Sequence, residues 1–110
     1  MEGVPSISEP SELIKRLLAS EVKGDLLALF HKNPGLIDNL DGLARRIGRT
    51  ANSVKADVED LVSLGVLRTK NIGRSEVIFL DHARDKEVQE IIVNYLKSLK
   101  TEKGGQQYLE

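Results

Sequence analysis

The stretch from Asn39 to Gly65 constrains this chain most, because it sets two helical patterns end to end with almost no room between them. Leu40, Leu43, Ala44 and Ile47 recur at three- and four-residue intervals behind Asn39, a good N-cap, and Gly48 ends the run. Thr50 then caps a second run, whose Val54, Val58, Leu61 and Val62 share one face until Gly65. Helices joined across so short a turn cross steeply. That geometry calls for a small residue at the crossing, a glycine in the turn and apolar residues facing back from the second helix. Ala44, Gly48 and Val54 fill those places.

The flanks add five further elements. Residues 1–10, with Pro5 and Pro10, read as a disordered tail. From Ser11, taken as an N-cap, Leu13, Ile14, Leu17 and Leu18 predict a short helix. Ser20 caps another, carrying Val22, Leu26, Leu29 and Phe30 as far as the Asn33–Pro34–Gly35 turn. Nothing at Ala19–Ser20 is a strong breaker, so a single longer helix is the alternative. Leu36 and Ile37 suit a very short strand. Val66 to Lys70 and Ser75 to Leu80 are rich in β-formers, with Asn71–Ile72–Gly73–Arg74 as a four-residue hairpin loop. Asp81 then begins a polar cap before Val88, Ile91, Ile92, Tyr95, Leu96 and Leu99, one apolar helical stripe. These elements make one domain over residues 11–100, its last helix starting at about residue 82. Residues 101–110 read as a flexible tail, and the Leu109–Glu110 pair resembles an expression-vector scar.

A helix-turn-helix over Leu43 to Val54, followed at Gly65–Val66–Leu67 by a hairpin in the position of a wing, resembles the winged-helix transcription regulators of prokaryotes, most closely the ArsR-like kind. The similarity runs from about Ser20 to Leu80, and the flanking helices extend it to about Leu99. It rests on spacing rather than on any rare residue. The fold expected is mainly α with a small β-hairpin wing (α+β), a winged helix-turn-helix with flanking N- and C-terminal helices. One departure is Arg49, where the family usually has an apolar residue after the turn glycine. It either loosens the turn or places a cation beside DNA.

Net charge looks unpromising for a nucleic-acid partner, since 16 Lys and Arg face 17 Asp and Glu. Its distribution matters more. Residues 1–40 hold four bases against six acids, residues 41–74 seven against four, and residues 75–110 five against seven. The excess of positive charge therefore lies in the helix-turn-helix and wing, through Arg45, Arg46, Arg49, Lys55, Arg68, Lys70 and Arg74. With Val54 pointing inward, Asn52, Ala56, Glu59 and Ser63 fall on the outer face of the second helix, within about 40° of its opposite side. In a major groove Asn52 suits adenine, while Thr50, Ser53 and Lys55 reach bases or phosphates from the flanks. Lys70 and Arg74 extend the contact to the backbone or minor groove. Asp57, Glu59 and Asp60 oppose it. Pairing of Asp57 and Asp60 with Arg45, Arg46 or Arg49 would relieve that repulsion.

The last helix carries a wider apolar stripe than a small domain needs, and in ArsR-like proteins the terminal helices pair two subunits. The resemblance implies a homodimer built on Leu13 and Leu17 with Val88, Ile91, Ile92, Tyr95 and Leu99; the alternative is that this helix folds back across its own domain. Double-stranded DNA is then the expected partner.

Other chemistries find few groups. No cysteine is present, which removes disulfides, thiolate metal ligands and Cys nucleophiles. His31 and His82 sit in no catalytic or metal pattern and read as surface or cap residues. We therefore expect no enzyme, no cofactor and no metal. No apolar run approaches the ~20 residues of a membrane helix, and a cytoplasmic location is the default. The function expected is sequence-specific DNA binding by a homodimeric transcriptional regulator. The acidic second half of the second helix supports an alternative, a winged-helix protein–protein interaction module with little or no DNA binding.

Overall fold

Glycine and proline set the element boundaries, and the apolar stripes decide which faces meet. The computed structural model describes residues 9–102. In chain order these form α1 (Pro10–Leu17), α2 (Glu21–Lys32), β1 (Ile37–Asp38), α3 (Leu40–Arg46), α4 (Ala51–Ser63), β2 (Leu67–Ile72), β3 (Ser75–Leu80) and α5 (His82–Glu102). The expected vector-derived pair, Tyr108 and most of both tails lie outside the described residues.

Side-chain caps start four of the helices. Ser20 Oγ accepts from the Lys23 amide at 3.1 Å, Asn39 Oδ1 from Gly42 at 2.8 Å, Thr50 Oγ1 from Ser53 at 3.3 Å and Asp81 Oδ1 from Arg84 at 3.0 Å. Each such cap contributes about 1 kcal/mol. Ser20 is extended (φ −146°, ψ 149°), so α1 and α2 are separate helices rather than one. The first helix departs from expectation. It begins at Pro10 behind Glu9, without a side-chain cap, because the fixed φ and missing N–H of proline suit a first turn. It also ends at Leu17, which leaves Leu18 as C-cap with 75% of its surface exposed.

Leu13, Leu26, Phe30, Leu43, Val54 and Leu61 are wholly buried and bring α1 to α4 around one core, closed from below by the sheet. The sheet runs β1–β3–β2, antiparallel throughout. Ile72 pairs with Ser75, so the hairpin turns on Gly73–Arg74 alone, two residues and not four. Gly73 has φ +62° and Arg74 a negative φ, a type II′ pattern matched to the twist of paired strands. Alternation along the strands gives the wing two faces. The cross-strand pairs Leu67–Leu80, Thr69–Ile78 and Asn71–Glu76 face the helices, and Arg68–Phe79 and Lys70–Val77 face away.

Arg84 Nε donates to the Leu64 carbonyl at 3.2 Å, and His31 Nε2 lies 3.0 Å from both Asp85 oxygens, to one of which Gln89 donates at 2.7 Å. His31 is thus a tie between α2 and α5, not a cap. α5 packs on α1, and Val88 is 3% exposed. Further along, Val93 and Leu96 are 47% and 50% exposed. This corrects part of the expected dimer face: Leu13, Leu17 and Val88 are buried in the chain's own core and Ile91 and Ile92 pack against it, because the apolar stripes of α1 and α5 cover each other.

Candidate nucleic-acid interface

The helix-turn-helix closes as the glycine spacing predicts. Gly48 takes φ +72°, and the Arg49 amide beyond it donates to the Ala44 carbonyl at 2.8 Å. Val54, Val58 and Leu61 hold α4 on the core, which leaves Asn52, Ser53, Lys55, Ala56, Glu59 and Ser63 exposed. The outer face of α4 is the one the periodicity gives.

The charges are arranged differently from the sequence expectation. Asp57 and Asp60 do not pair with the arginines of the helix-turn-helix; they reach back to the joint between α1 and α2. Asp57 accepts from Ser20 Oγ at 2.7 Å, and Asp60 is bonded by both Lys23 Nζ and Arg16. Lys23 is only 6% exposed and also donates to the Arg16 carbonyl at 3.0 Å. Burial works against ionisation of Asp60, but the hydrogen bonds and charges of Lys23 and Arg16 outweigh it and hold its carboxyl below the ordinary value. Neither acid is therefore a loose negative charge on the outer face of α4.

Four of the seven expected cations are also engaged. Arg46 Nε donates to Asp38 at 3.0 Å, Arg49 lies 3.2 Å from Asp25 and 3.7 Å from Glu21, Lys55 lies 3.3 Å from Glu59, and Arg68 lies 3.7 Å from Asp81. Asp38 is held low as well: its partial burial is outweighed by Arg46, the Asn39 amide and the charge of Arg45. Arg49 neither loosens the turn nor stands free. It folds onto the acids of α2, and its buried Nε has no hydrogen-bond partner among the described residues. Thr50 and Ser53 are committed to the helix start, the latter through a 2.8 Å bond to the Thr50 carbonyl. Arg45, Lys70 and Arg74 are exposed and without an ion pair among the described residues. With Asn52 they are the expected contact residues left uncommitted.

Sequence reasoning missed the Lys23–Asp60–Arg16 cluster. The signal was present, since Lys23, Leu26 and Phe30 share a stripe at i, i+3 and i+7, but a lysine there reads as solvent-facing.

No family model matches this chain, and no curated protein matches it. Its architecture is similar to that of a possible transcriptional regulator from Methanosarcina mazei Go1, 15% identical, with a TM-score of 0.54 over 89% of this chain and 88% of that one. At that identity the likeness concerns the fold, a helix-turn-helix with a hairpin wing in an α+β frame. Among the described residues no helix is long and apolar enough to cross a membrane.

Proposed function

We propose that this chain is a sequence-specific DNA-binding transcriptional regulator, an ArsR-like winged helix acting as a homodimer in the cytoplasm, with no catalytic step, cofactor or metal. The observation that carries the reading is the exposed first half of α4, where Asn52 stands uncommitted behind the Thr50 cap. An asparagine amide there fits the N6 and N7 edge of adenine in a major groove. Arg45, Lys70 and Arg74 supply phosphate contacts. The similarity to a possible transcriptional regulator supports the same reading. For the dimer, the distal half of α5 offers Tyr95 and Leu99 beside the exposed Val93 and Leu96.

Three uncommitted cations per chain make six per dimer, so the logarithm of affinity should fall with that of salt at a slope of about −5. Affinity then drops roughly a thousandfold between 50 and 200 mM salt. Anisotropy with a pool of randomised duplexes measures this. Absence of binding at low salt overturns the proposal.

The engagement of Arg46, Arg49, Lys55 and Arg68 by acids of this chain favours a second reading, the protein-interaction module. Arg74→Glu with Lys55→Glu separates the two. It abolishes duplex binding under the first reading and leaves partner capture intact under the second.

A further inference from the structure

The wing's inner face grades from apolar to acidic as it leaves the core. Leu67 and Leu80 are buried, Thr69 and Ile78 come next, and Asn71 and Glu76 stand outermost. Across from them α4 turns Val58 and Val62 toward the sheet, one turn apart, and the start of α3 adds Leu40. The result is a groove of about 250 Å³, floored by these apolar side chains and rimmed by Lys55, Glu59, Thr69 and Glu76. That volume lies just under the roughly 300–1,000 Å³ of drug-sized sites and suits a fragment-sized molecule.

We propose that this groove binds a small amphipathic cation, an ammonium or amidinium group on a compact apolar body. The mouth carries two carboxylates against one ammonium. Glu76 has no ion pair among the described residues, and the Lys55–Glu59 pair, with side chains 63% and 65% exposed, is weakly held. An anion is repelled there, and a neutral molecule leaves Glu76 without a partner. A cation meets Glu76, while Glu59 keeps Lys55, and its body covers Val58, Val62 and Ile78, with the Thr69 hydroxyl available to accept a further N–H. In the proposed function the groove separates the two elements that meet DNA, so an occupant is placed to alter that contact. Occupancy is measured without DNA and stands or falls separately.

The test is a titration of the full chain with benzylammonium, and with benzyl alcohol as its uncharged counterpart, followed by amide chemical shifts. The amine should shift Val58, Val62, Thr69 and Ile78 saturably and bind about fivefold more tightly than the alcohol, the advantage of one exposed ion pair. In Glu76→Gln, a change at an exposed side chain, that preference should vanish. Equal binding of amine and alcohol, shifts that do not saturate, or a preference that survives Glu76→Gln each overturn the proposal.

Discussion

Replacing Asp60 with alanine tests what holds α4 to the joint between α1 and α2. The change strands Lys23, 6% exposed, with the Arg16 carbonyl at 3.0 Å as its remaining partner. Breaking a fully buried ion pair costs about 3–5 kcal/mol. The Asp60 side chain is 28% exposed, so water reaches part of the site, and we expect a loss of about 2–3 kcal/mol. In a domain of this size that lowers Tm by about 10–15 °C. Lys23→Met leaves Asp60 with Arg16 and puts an apolar chain in a buried place, so its cost should stay under about 1 kcal/mol. The double variant should recover most of the Asp60→Ala loss, since no stranded charge remains. Urea denaturation followed by circular dichroism reads all three, provided the m-values agree. A cost below about 1 kcal/mol for Asp60→Ala, with simple additivity in the double variant, would refute the reasoning.

Further outcomes follow from the same geometry. Asp60 and Asp38 both have folded pKa values below their ordinary one, so their contribution is complete above the unfolded value near 3.9 and is lost as pH falls through the lower folded values. Tm measured from pH 7 to pH 3 should therefore drop at the acid end, and less steeply in Asp60→Ala. Lys70→Ala or Arg74→Ala should each make the salt slope of duplex binding shallower by about 1.8 per dimer, with Tm almost unmoved. An unchanged slope removes that residue from the interface. Leu96→Glu with Val93→Glu should convert a dimer to a monomer in sedimentation velocity; a wild-type chain that sediments as a monomer at micromolar concentration refutes the dimer directly.

The helices and the wing were legible because their signals are local. Asn39, Thr50 and Gly48 act within four residues, and the β3 boundaries coincide with the β-former run Ser75 to Leu80. The hairpin loop was misjudged because Asn71 and Ile72 are poor guides once pairing with Glu76 and Ser75 extends the ladder to Gly73. The periodicity of α2 places Lys23 on the buried stripe, but which acid it meets was not legible. Asp60 could face Arg45 or Lys23 on periodicity alone, and the choice depends on how α1 and α2 meet, which the weak break at Ala19–Ser20 leaves open. The same limit explains why seven cations counted along the chain become three uncommitted ones in space. For α5, periodicity finds the stripe but not where the domain stops covering it.

That stopping point makes α5 a lever. The Asp81 cap, Arg84 on Leu64, the His31–Asp85–Gln89 tie, Val88 and the core contacts of Ile91 and Ile92 clamp its first three turns. From Val93 to Glu102 the uncovered arm extends about 14 Å. A tilt of about 10° at the clamp swings its tip by roughly 2.4 Å, well over half the rise of one base pair. In the proposed dimer, where two such arms would join, the clamp residues would set the spacing of the two helix-turn-helix units.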